Sequence, residues 1–150
     1  MTTNQNAKFS SADFDKTPPA LIPRVPDRLV HRNVLATNRD GYSEERRHPV
    51  SIVDLPTRTI SMTIGGLAPG GKTNMHRHTY ETVLYVLKGR GYSIIEDQKI
   101  EWEEGDAVYV PVWAWHQHCN ADAQAEATYV ACENAPLLQN LGEMALREES

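Results

Sequence analysis

Four of the chain's six histidines fall in two short clusters, His76-Arg77-His78 and His116-Gln117-His118. On a β-strand successive side chains alternate faces, so His76 and His78 point the same way, as do His116 and His118. Each pair can aim two imidazoles at one point. Neutral imidazole binds zinc, iron, copper and nickel, and ligands mounted on strands are placed more firmly than ligands on loops. A single histidine at such a place would read as an ordinary core or surface residue. Two same-face pairs, flanked by Val, Leu and Trp, read as a metal site inside a β-barrel.

The flanking sequence supplies such a barrel. Thr59 to Gly65 alternates apolar Ile60, Met62 and Ile64 with polar neighbours, the pattern of a half-buried strand. Further strands are expected at Val50–Leu55, Met75–His78, Thr82–Leu87, Gly91–Glu96, Lys99–Trp102, Asp106–Val110, Trp115–Cys119 and Ala127–Cys132. Turn residues separate them at Leu67 to Gly71, Lys88-Gly89, Glu96-Asp97, Glu104-Gly105 and Asn120-Ala121-Asp122. Short strands at this spacing predict an all-β sandwich or small barrel. Beyond Asn134 the period changes. Leu137, Leu138, Leu141, Met144 and Ala145 recur at helical intervals, Asn134 is placed to cap and Pro136 falls in the first turn, which predicts an amphipathic helix over 135–150 packed on the barrel. An interior Gly142 weakens that helix. Residues 1–26, polar and dotted with Pro18, Pro19, Pro23 and Pro26, suit an extended arm that drapes over a partner subunit, leaving 27–134 for the barrel.

With 150 residues the chain is expected to form one domain with its own core. The net charge of -5, with scattered Lys and Arg, offers no basic stripe for a nucleic acid. No apolar run is long enough to cross a bilayer, and the first residues lack a secretory pattern. Cys119 and Cys132 are too few for a disulfide framework, so reduced thiols in a cytoplasmic protein are expected. A homodimer is expected too, since an arm has no core of its own and an open barrel edge invites pairing.

Two longer motifs contain the histidines. One is G-x5-H-x-H from Gly70 to His78, closing at Gly89; the other is G-x5-P-x-W-x-W-H-x-H-x-N from Gly105 through Pro111, Trp113, Trp115, His116 and His118 to Asn120. Their order and spacing resemble the paired motifs of the cupin superfamily, over about a third of the chain. The resemblance implies a jelly-roll barrel with the metal in its mouth, held by His76, His78 and His116. Its usual glutamate ligand lies seven residues before the closing glycine, where this chain has Thr82, a poor ligand beside a carboxylate or an imidazole. Glu81, one residue away, is the alternative fourth ligand, and parity leaves the choice open because Val83, Tyr85 and Leu87 look as buriable as Leu84 and Val86. The glycine count favours three histidines.

Within the superfamily, the lost glutamate, the string His76-Arg77-His78-Thr79 and the Pro111 to Asn120 block resemble gentisate 1,2-dioxygenases and the related 1-hydroxy-2-naphthoate and salicylate enzymes, of which this chain matches only the metal-bearing half. That resemblance implies an Fe(II) dioxygenase of aromatic compound catabolism. It would cleave a carbon–carbon bond of a small hydroxylated aromatic acid or a related chelating enol, with O2 as co-substrate. A Lewis-acid isomerase, lyase or decarboxylase using Zn, Mn or Ni, and a non-enzymatic binding module, are the competing readings. His118 is expected to act either as acid/base or as a histidine that orients a ligand. Thr82, Trp113 and Trp115 are candidate substrate contacts, with core packing the stronger expectation for Trp113. Asn120 is expected to stabilise its turn, and Arg77 to sit on the outer face as an ion-pair or interface residue.

Overall fold

The computed structural model describes residues 22–34 and 50–150. Residues 22–34 follow an irregular, largely exposed path, and the rest of the expected arm lies outside the described residues. From Val50 onward the chain forms ten strands and one helix. The strands are β1 (Val50–Ile52), β2 (Ser61–Leu67), β3 (His76–His78), β4 (Thr82–Lys88), β5 (Arg90–Ile95), β6 (Gln98–Glu103), β7 (Ala107–Val110), β8 (His116–Asn120), β9 (Ala127–Glu133) and β10 (Arg147–Glu149), with α1 (Ala135–Asn140) between the last two. Nine of these strands fall where alternation and turn residues place them.

The strands make two five-stranded antiparallel sheets, β1-β2-β9-β4-β7 and β10-β3-β8-β5-β6, the layout of a jelly roll. Their facing sides bury a core of Leu67, Leu84, Val86, Ile95, Trp102, Val108, Val110, Ala114, Ala127, Tyr129 and Ala131. Parity decides which side faces in. On β4 Thr82, Leu84 and Val86 are buried while Val83, Tyr85 and Leu87 are exposed, so the choice left open by composition falls to the even positions.

Gly91 has a packing role. A Cβ there would lie 2.3 Å from the Trp102 ring, so the indole lies directly over the glycine backbone. Gly89, at φ +91°, makes the tight turn from β4 into β5 and approaches the backbone of Ala127 too closely for a side chain.

The C-terminal segment departs from expectation. The helix runs only from Ala135 to Asn140 and buries none of its residues. Pro136 does sit in the first turn, but the Asn134 side chain makes no cap bond; its Oδ1 accepts the Glu81 backbone N–H at 2.9 Å instead. Gly142, at φ +123°, turns the chain out of the helix, and β10 then pairs antiparallel with β3. The pairing satisfies edge hydrogen bonds of the histidine-bearing strand that a helix could not reach.

Candidate metal centre

Cross-strand register brings the two histidine clusters together. His76 is the direct partner of His116 in the β3–β8 pair, and β3 and β8 face inward at both histidines of each cluster. The rings of His76 and His116 lie 4.1 Å apart, those of His78 and His116 4.8 Å. One ring nitrogen from each of His76, His78 and His116 lies within 4.8 Å of the other two. All three residues are buried.

The backbone fixes the tautomer of each. The Nδ1–H groups of His76, His78 and His116 donate to the carbonyls of Asn74, Tyr80 and Ala114 at 2.7, 2.7 and 2.9 Å. A carbonyl can only accept, so each Nδ1 carries the proton and each Nε2 presents its lone pair. Tyr80 also stacks on His78 at 3.9 Å, restraining that ring. Burial, followed by repulsion from His116, pulls the His76 pKa down to about 2 and that of His78 to about 4. Burial lowers His116 as well. No proton has to be displaced before a cation can bind near neutral pH. Three neutral, oriented nitrogens with lone pairs converging are the donor set of a three-histidine metal-binding site.

His118 is held differently. Its Nδ1 lies 2.7 Å from the Ser93 hydroxyl, which also accepts the Trp102 Nε1–H at 3.0 Å. Ser93 is fully buried and has one hydroxyl proton to place, and Nδ1 is the acceptor within reach. The His118 proton therefore sits on Nε2, the reverse of the other three. His118 lines the same cavity, with its ring 5.5 Å from that of His116. It presents an N–H donor where its neighbours present lone pairs.

Of the remaining sequence candidates, Thr82 lines the cavity and donates its hydroxyl to Glu133 Oε1 at 3.2 Å. Glu81 does not reach the centre. It is exposed on the opposite face of β4, where its carboxylate accepts the Tyr109 hydroxyl at 2.7 Å. Trp113 and Trp115 form no wall of the cavity. Trp113 has a left-handed backbone, φ +63°, which breaks the alternation leading into β8, and both indoles pack on the Arg77 guanidinium outside the barrel at 4.4 and 4.6 Å. Arg77 also pairs with Glu148 on β10, as an outer-face residue should. Asn120 holds its turn through Nδ2 bonds to Leu67, Ala68 and Ala125 and an Oδ1 bond from Asp122 N.

Two charged residues of the cavity escaped the sequence reading, Glu133 and Arg147. Glu133 ends β9 in phase with inward Ala127, Tyr129 and Ala131, so parity could have found it. Arg147 could not be found while its segment read as a helix.

Residues 64–132 match the cupin domain family model. This segment is a cupin domain. The chain is 36% identical, over 84 residues, to 5-aminosalicylate 1,2-dioxygenase of a Comamonas species, covering 56% of this chain and 22% of that one. It is 31% identical, over 86 residues, to 1-methylthio-D-xylulose 5-phosphate methylsulfurylase of Rhodospirillum rubrum, covering 51% and 53%. The salicylate 1,2-dioxygenase structure from Pseudaminobacter salicylatoxidans superposes with a TM-score of 0.64 at 19% identity, over 70% of this chain and 32% of that one, a likeness of fold. The chain thus spans about a fifth of the curated dioxygenase it matches and about half of the methylsulfurylase.

Proposed function

We propose that this cupin is an Fe(II)-dependent dioxygenase that cleaves a carbon–carbon bond of a small hydroxylated aromatic acid, of the gentisate or salicylate kind, or of a related chelating enol. The observation that carries the reading is the ligand set itself: three neutral imidazoles, with Glu81 turned away and a threonine at the usual carboxylate position. His76, His78 and His116 would hold the ion through Nε2, leaving its double charge uncompensated and positions open to a chelating anion. Iron(II), when bound, supplies the redox chemistry that lets O2 react with a chelated substrate.

The chain's own residues supply orientation. His118 directs an Nε2–H towards the cavity, suited to an oxygen that gains negative charge, and its proton is kept in place by the Ser93 hydroxyl. Thr82 and Glu133 face the histidines from the opposite sheet, the threonine proton being held on the carboxylate. Tyr80, Tyr129 and Leu84 give the cavity its apolar share and limit water. Among the described residues no helix is long and apolar enough to cross a membrane, and the free Cys119 and Cys132 fit a reducing cytoplasmic setting.

A Lewis-acid reading, with Zn, Mn or Ni and no O2 consumed, draws support from the methylsulfurylase match, which covers more of that relative than of the dioxygenase. Oxygen uptake separates the two. Fe(II)-loaded protein is expected to consume O2 with gentisate or salicylate, with catechol and a β-diketone as comparison substrates. Absence of uptake with all four would overturn the dioxygenase reading and leave Lewis-acid chemistry or simple binding.

A further inference from the structure

Arg147 is the cation among the cavity's lining residues, and metal binding gives it no purpose. It is the direct cross-strand partner of His78, so its Cβ stands on the inward face about 5 Å from that of a ligand histidine. Its side chain is 23% exposed and lines the cavity together with all three ligand histidines. A fixed positive charge here opposes a divalent cation. Its presence makes physical sense when an anion completes the site.

The guanidinium is also held in place. Glu149, two residues on and on the same face, takes the Nε and Nη2 edge with Oε1 at 3.3 and 2.9 Å, and its Oε2 accepts Asn74 Nδ2 at 3.1 Å. Nη1 lies outside that pair. The strand beneath is tied down by Thr79 N–H to Leu146 O, by Leu146 N–H to Thr79 Oγ1 and by Ser150 N–H to Met75 O. A restrained guanidinium loses less entropy on meeting a carboxylate than a mobile one.

We propose that Arg147 is a specificity residue that receives the carboxylate of the substrate, so that the site selects aromatic acids over catechols and enols that chelate equally well but lack a carboxylate. This rests on the reading of the site as one for chelating substrates and narrows it. The charge count agrees: with three neutral histidines, a divalent ion and Arg147 set against Glu133 and Glu149, one positive charge is left over, which an ionised carboxylate offsets.

Calorimetric titration of the Zn(II)-loaded full chain with salicylate and with catechol tests this without turnover. Wild type should bind salicylate more tightly than catechol. Arg147→Gln should weaken salicylate by about 10- to 100-fold, as expected for a lost charge-assisted hydrogen bond, while catechol keeps its affinity. Arg147→Lys should restore part of the salicylate affinity. Zn(II) affinity without ligand should hold or rise in Arg147→Gln, whereas a merely structural arginine would loosen metal and both ligands together. If wild type binds both ligands and Arg147→Gln leaves their ratio unchanged, the subsite is overturned alone. If wild type binds neither, the reading of the cavity as a site for chelating aromatic acids falls, and the subsite with it.

Discussion

Replacing Ser93 with alanine should be costly beyond the size of the group removed, because one hydroxyl serves two buried partners. It accepts the Trp102 Nε1–H at 3.0 Å and meets His118 Nδ1 at 2.7 Å, and Trp102 and His118 are both buried. Each orphaned group loses about 1–3 kcal/mol, so Ser93→Ala should destabilise the metal-free protein by about 2–6 kcal/mol. Trp102→Phe removes the indole donor and some volume, but leaves the serine bonded to His118, and should cost about 2–3 kcal/mol. In the double variant no indole N–H remains to be orphaned. The combined loss should therefore fall short of the sum by about 1–2 kcal/mol. Urea unfolding followed by circular dichroism gives the three values, and nitrogen-15 spectra of the histidines report the tautomer directly. Wild-type His118 should carry its proton on Nε2, and Ser93→Ala should release that preference. Additive losses, or a wild-type His118 protonated on Nδ1, would refute the hydroxyl relay.

Other outcomes follow from the same geometry. Glu81→Gln should leave metal affinity unchanged in a competition titration, since Glu81 faces Tyr109 outside the cavity; a large loss would restore it as a fourth ligand. The metal-free protein should lose stability as pH falls below about 6.5. There the unfolded histidines take up protons that His78 refuses until about 4 and His76 until about 2, so urea midpoints should decline steadily from pH 7 to 4. Flat midpoints over that range would contradict the burial argument. A chain ending at Leu146 uncovers the β3 edge and removes the Glu148 partner of Arg77, so it should retain metal less well and associate more readily. We further propose a homodimer. Ile22 and Val25 of the arm and Leu29 and Val30 just after it are exposed, as are Val83, Tyr85 and Tyr109 on the outer sheet face, and light scattering should give twice the chain mass.

The parts of this molecule that follow period and parity were legible in the sequence, and the parts that depend on a break in either were not. His-x-His twice over, with glycine turns on either side, dictates two inward pairs, and the β3–β8 register makes them one cluster. Counting back from Gly89 points to Thr82 rather than Glu81, and Thr82 is the one of the two that lines the cavity. Trp115 was readable as outward from its odd position beside His116, yet its aromatic character argued for a wall. Trp113 was not readable, because its left-handed backbone has no compositional sign when the residue is not glycine or asparagine. Leu137 to Ala145 has helical spacing, but only long-range pairing with β3 makes Arg147–Glu149 a strand, and no local pattern carries that information.

Metal stoichiometry in the His116→Ala variant bears most directly on the central claim, because His116 is the residue that joins the two clusters. Wild type reconstituted with Fe(II) under anaerobic conditions and freed of excess metal should hold one ion per chain. His116→Ala should fold to the same β-rich spectrum and retain essentially none, since two histidines of one short strand offer neither the number nor the geometry of ligands the ion requires. A folded His116→Ala protein that keeps one ion per chain would contradict the three-histidine centre and the function built on it.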